Sequence, residues 1–133
     1  MSKLIYKELS DEVLYAAFTV HNSVGSGLLE SVYQKAMEVE LEFLHIPFAA
    51  QVPLQVFHRN KMAGDFFADI VVDEKTILEI KHAVKLAGII EAQLINYLRL
   101  SKIQVGYLVN FRNTSVEWKR FVFQREEPRF FCR

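Results

Sequence analysis

Pro47 divides this chain into two patterns of different period, and that switch restricts the fold more than any other feature. Before it, apolar residues recur every three to four positions. From Asp11 to about His21, Val13, Leu14, Ala17, Phe18 and His21 fall on one stripe, with Ser10 placed to cap the helix and Asp11 and Glu12 in its first turn. Gly25 and Gly27 break that helix. A second helix is expected from Leu28 to about Leu44, with Val32, Ala36, Val39 and Phe43 in one row and Tyr33, Met37 and Leu41 beside it. After Pro47 the period becomes two. Gln51–Phe57 alternates, and Pro53 inside it argues for an edge strand. His58-Arg59-Asn60-Lys61 reads as a turn, and Phe66–Val72 and Thr76–His82 read as a hairpin around Asp73-Glu74-Lys75. Helical spacing returns over Leu86–Leu100, where Ile89, Ile90, Gln93, Leu94 and Tyr97 are expected to face inward. Gln104–Phe111 and Val116–Phe123 complete the strands.

The order helix, helix, three strands, helix, strand, strand predicts an α/β chain of the α+β type. It should hold a mixed sheet: a three-strand antiparallel meander, a crossover helix and further strands, with helices packed on it. With 133 residues and 15.5 kDa we expect a single domain spanning 1–133. Its core would run from about 11 to 123, and residues 124–133 would form a basic, aromatic tail.

Charge sits where a strand should be apolar. Asp69 interrupts Phe66-Phe67-Ala68-Asp69-Ile70-Val71-Val72, and Glu79 and Lys81 interrupt Thr76-Ile77-Leu78-Glu79-Ile80-Lys81-His82. Alternation puts Glu79 and Lys81 on one face. A three-residue loop at 73–75 pairs Val72 with Thr76 and sets Asp69 opposite Glu79; a two-residue loop would send the two acids to opposite faces. The three-residue loop keeps both strands coherent and is the register expected. Two carboxylates that close need a shared proton, a cation or both. Oxygen ligands select Mg²⁺ or Mn²⁺ over Zn²⁺. An ordinary surface ion pair is the alternative.

Glu30 and Gln93 each carry two readings. Glu30, in the first turn after the glycines, is either a further acid of the site or a capping-box residue reaching back to Gly27. Gln93 is either a site amide or a buried hydrogen-bond bridge.

Gly27-Leu28-Leu29-Glu30-Ser31-Val32-Tyr33 resembles the G-x-x-E-x-x-Y signature of the GxxExxY proteins, members of the PD-(D/E)xK nuclease superfamily with a restriction-endonuclease-like fold. The resemblance runs from about His21 to Phe123 and includes Gln51-Val52-Pro53-Leu54, Phe67-Ala68-Asp69, Glu79-Ile80-Lys81 and Glu91-Ala92-Gln93-Leu94-Ile95-Asn96-Tyr97-Leu98. Ala68 stands where the superfamily name has proline, and His82 follows where small residues are frequent. The resemblance implies a Mg²⁺- (or Mn²⁺-) dependent nuclease hydrolysing phosphodiester bonds in DNA or, second, RNA. It implies Glu30, Asp69, Glu79, Lys81 and Gln93 as catalytic residues. Asp69, Glu79 and the backbone carbonyl of Ile80 would be the metal ligands, joined in one version by Glu30. The alternative is a non-cleaving module that keeps the fold and binds nucleic acid or protein.

Composition limits the rest. Sixteen Lys+Arg balance sixteen Asp+Glu, so a nucleic-acid surface must be a local patch. The C-terminal excess of arginines among Trp118, Phe121, Phe123, Phe130 and Phe131 is one candidate; a homodimer interface is another use of those aromatics. A single cysteine, Cys132, excludes an internal disulfide and suits a reducing compartment. No signal-like N-terminus and no apolar run of roughly 18 residues is present. The expectation is a cytoplasmic protein that does not engage a membrane.

Overall fold

Two helices cover one face of a five-stranded sheet and a third covers the other. The computed structural model describes residues 6–123. In chain order the elements are α1 (Lys7–Val24), α2 (Glu30–Phe43), β1 (Phe48–His58), β2 (Lys61–Val72), β3 (Thr76–Lys81), α3 (Gly88–Ser101), β4 (Val105–Asn110) and β5 (Glu117–Val122). The strands lie in sequence order, antiparallel except for β3 and β4. That parallel step follows from α3: a helix between two strands returns the chain to the starting end. The architecture is the mixed sheet expected from the sequence.

The burial pattern explains the element types. β3 and β4 are covered on both faces; β4 is apolar but for Asn110, and β3 is apolar but for Thr76, Glu79 and Lys81. β1 is an edge strand, which accommodates Pro53. The β1–β2 hairpin turns through Arg59 and Asn60, both at positive φ (49° and 64°), the geometry of a two-residue turn that follows the sheet's twist.

Several expectations change. Helix α1 starts at Lys7, not Asp11, and Ser10 is a buried helical residue rather than its cap. Leu9 packs against the core, so burial carries the helix one turn past the local capping signal. Phe18 is exposed; the buried stripe runs through Val13, Ala16, Ala17 and Val20. On α2, Tyr33, Met37 and Leu41 enter the core, while Val32, Val39 and Phe43 face out. β1 and β2 are longer than expected, beginning at Phe48 and Lys61.

On α3, Ile90, Leu94, Tyr97 and Leu98 form the inward stripe, and Ile89 and Gln93 are exposed, contrary to expectation. The cause is Gly106 on β4. A Cβ there would lie 2.9 Å from Leu94 Cδ1, so the bare backbone lets Leu94 and Leu98 seat directly on the sheet and fixes the helix rotation. The basic aromatic tail at 124–133 lies outside the described residues.

Candidate active site

The β2–β3 ladder holds for three pairs, Val72 with Thr76, Val71 with Ile77 and Ile70 with Leu78. This is the register of the three-residue loop. One step further, at Asp69 and Glu79, backbone pairing gives way to side-chain bonds and the strands fork. Asp69 N–H donates to Glu79 Oε2 at 2.7 Å, and Ile80 N–H donates to Asp69 Oδ2 at 2.8 Å. The Asp69 carbonyl accepts from Gln34 Nε2 on α2 at 2.8 Å. Each acid thus serves a backbone donor that the opened ladder would otherwise leave unpaired. In an extended strand the N–H and C=O of one residue point the same way. The Ile80 carbonyl therefore faces the fork, while Lys81 turns to β4, its carbonyl accepting from Phe111 N–H at 3.0 Å.

Electrostatics at the fork are unusual for carboxylates. Burial pushes Glu79 up to about 8; the Asp69 charge adds to this, and the Asp69 N–H and the Lys81 charge oppose it. Burial also raises Asp69, against the Ile80 N–H, the Lys81 charge and the Gln51 side chain. At neutral pH, without a cation, Glu79 keeps its proton. Among the described residues Lys81 makes no ion pair, so it influences the acids through space rather than by contact.

Glu30 stands near the acid pair, and its charge raises both Asp69 and Glu79. It makes no helix-capping bond, and its Oε2 accepts the His82 N–H at 3.0 Å, holding the chain just past Lys81. Among the described residues no group of three or more His, Cys, Asp or Glu side chains is placed to hold one metal ion, so Glu30 does not join the acid pair as a third carboxylate ligand. The Tyr33 hydroxyl donates to the Gly25 carbonyl (2.7 Å) and accepts from Leu28 N–H (3.2 Å), clamping the glycine turn. Its ring stacks on Phe111, 4.5 Å between centroids.

Asn110 and Gln34 are site residues that went unnoticed in the sequence. Buried Asn110 grips Ala83 from both sides, accepting its N–H at 3.0 Å and donating to its carbonyl at 2.9 Å. Gln34 fixes the Asp69 backbone. Tyr97 on α3 lies close enough that its phenol is raised by burial and then by the charges of Glu79 and Asp69. Gln93, one turn before Tyr97, lines a groove of about 440 Å³ with Phe66, Ile90, Asn96 and Arg99. Tyr97 also lines this groove, which thereby adjoins the acids.

The residues present fit a hard divalent cation. The donors are all oxygen: two carboxylates held close and short of a counter-charge, and a backbone carbonyl turned toward them.

The model of the PD-(D/E)XK nuclease superfamily matches residues 7–121. No curated protein matches the sequence. Among solved structures, the crystal structure of SSO0001 superposes with a TM-score of 0.55 at 19% identity, over 91% of this chain and 59% of that one. The chain thus spans about three-fifths of the length of that protein, and the likeness is one of fold. With the family match over most of its length and an aspartate facing a Glu-x-Lys strand across a forked sheet, the chain belongs to the PD-(D/E)XK nuclease superfamily.

Proposed function

We propose that the fork is the active centre of a Mg²⁺- or Mn²⁺-dependent nuclease hydrolysing phosphodiester bonds, with DNA favoured over RNA. Within the superfamily, the Gly27-x-x-Glu30-x-x-Tyr33 run supports placing the chain among the GxxExxY proteins. The observation that carries the reading is the acid pair itself. Glu79 is buried and Asp69 half-buried beside it, each fixed by a backbone N–H and each raised above its ordinary pKa. Such a pair is arranged for a cation and not for stability.

Asp69, Glu79 and the Ile80 carbonyl would hold the ion, which supplies a Lewis acid at the phosphate and lowers the pKa of water. Lys81 adds a fixed positive charge where charge develops on the phosphate. Glu30, through His82, and Asn110, through Ala83, hold the segment that follows Lys81. Gln93 borders the adjoining groove, where it can meet the substrate.

The second reading, a module that binds nucleic acid or protein without cutting, is favoured by one observation: Glu30 supplies no third carboxylate to the pair. Labelled single- and double-stranded DNA and RNA, incubated with Mg²⁺ or Mn²⁺, separate the two. The nuclease reading expects products with metal, none with EDTA and none from Glu79→Ala. Equal inertness of wild type and Glu79→Ala on every substrate would leave the binding module.

A further inference from the structure

Gln51 departs from the strand it belongs to. It lies inside β1, yet its φ is 51°, in the left-handed region where a side-chain-bearing residue is strained. The register across it is unbroken: Ala50 pairs with Ile70 and Val52 with Ala68, so Gln51 stands opposite Asp69.

The two strands turn over together at this pair. Side chains of alternate residues should share a face throughout. Yet Phe48 packs with the α1/α2 core while Val52 and Leu54 pack with the α3 core, and on β2 Ile70 and Val72 pack with the former while Ala68 packs with the latter. The swap occurs at Gln51 in one strand and Asp69 in the other. No residue is inserted, and no glycine takes the positive φ, although glycine is the residue that would adopt it without strain.

Resting on the metal-site reading above, we propose that Gln51 is a positioning residue for Asp69: its left-handed backbone turns the amide onto the Asp69 carboxylate and holds that carboxylate at the angle at which it meets a divalent cation. The Gln51 side chain reaches the Asp69 carboxylate and favours its ionised form. The other contacts of Asp69, to Ile80 N–H through Oδ2 and to Gln34 through its own carbonyl, come from β3 and α2. Gln51 supplies the third direction, from β1. Hydrogen bonds to metal-ligating carboxylates set ligand orientation, and losing one weakens metal binding by about 10–100-fold.

The test uses the whole chain, Mn²⁺ titration calorimetry and metal-free thermal unfolding. Gln51→Gly removes the amide and relieves the backbone; Gln51→Leu removes the amide and keeps the strain. We expect both to bind Mn²⁺ about 10-fold or more weakly than wild type. Gln51→Gly should match the wild-type Tm or exceed it by up to about 4 °C, whereas Gln51→Leu should not exceed it. A residue serving the fold alone would lower Tm and leave affinity untouched. Mn²⁺ affinities within about twofold of wild type in these variants overturn the proposal, and Gln51→Leu alone decides it if Gln51→Gly does not fold. Failure of the wild type itself to take up Mn²⁺ would instead sink the metal-site reading on which the inference stands.

Discussion

The β2–β3 pair has two halves that satisfy their backbones by different means. From the 73–75 turn to Ile70 and Leu78 the strands pair with each other, and the side chains are buried and almost entirely apolar. From Asp69 and Glu79 onward the strands part, and carboxylates and an amide serve the backbone instead. In the closed half the side chains need only fill space. In the open half the acids also complete hydrogen bonds that the fork would otherwise orphan, at the cost of crowding two ionisable groups. Stability is concentrated in the first half and chemistry in the second.

The sharpest way to break this contrast is to remove charge from the open half. Glu79→Gln keeps an acceptor for Asp69 N–H but loses the anion. Metal-dependent cleavage should fall by at least about 10²–10³-fold, read by gel assay, while urea unfolding at pH 7 shows no loss of stability. In the closed half the effects should reverse. Leu78→Ala, at a fully buried position, should cost about 2–5 kcal/mol in urea unfolding and leave cleavage per folded molecule unchanged.

A smaller effect comes from pH. Glu79 is raised in the folded state, from 4.5 to about 8. Below its unfolded value both states are protonated and nothing is lost. Between the two values the folded state holds the extra proton. Metal-free stability contributed by this group should therefore fall with rising pH, by up to about 1.4 kcal/mol per pH unit. Glu79→Gln should remove that slope in a series of unfolding curves from pH 5 to 8. Least affected should be Gln34→Ala, which deprives the Asp69 carbonyl of a donor and should cost about 1 kcal/mol.

The closed half was largely legible in the sequence. Period-two runs, a polar triplet at 73–75 and the break at Pro47 determine strand order and register, because a one-residue slip would turn every apolar side chain outward. The facing of Asp69 and Glu79 follows from the same count. What escaped the sequence depends on rotation and on which polar side chain meets which backbone group. Ile89 and Gln93 lie one position round the helix from Ile90 and Leu94, and the missing side chain at Gly106 decides which stripe seats. Gln34, Gln51 and Asn110 are ordinary polar residues in sequence; only the folded chain brings Gln34 and Gln51 to Asp69 and Asn110 to Ala83. Ser10 carries a real capping signal, overridden because Leu9 is worth more buried.

The central claim is that a buried and a half-buried acid share one spot and that, without a cation, Glu79 keeps its proton until one arrives. Mn²⁺ titration calorimetry at pH 7 in two buffers of different ionisation enthalpy tests it most directly, because the difference in heat counts protons released. The account predicts saturable binding with release of about one proton per ion, reduced together with affinity in Asp69→Asn. Binding with no proton release, or affinity unchanged in Asp69→Asn, would contradict it.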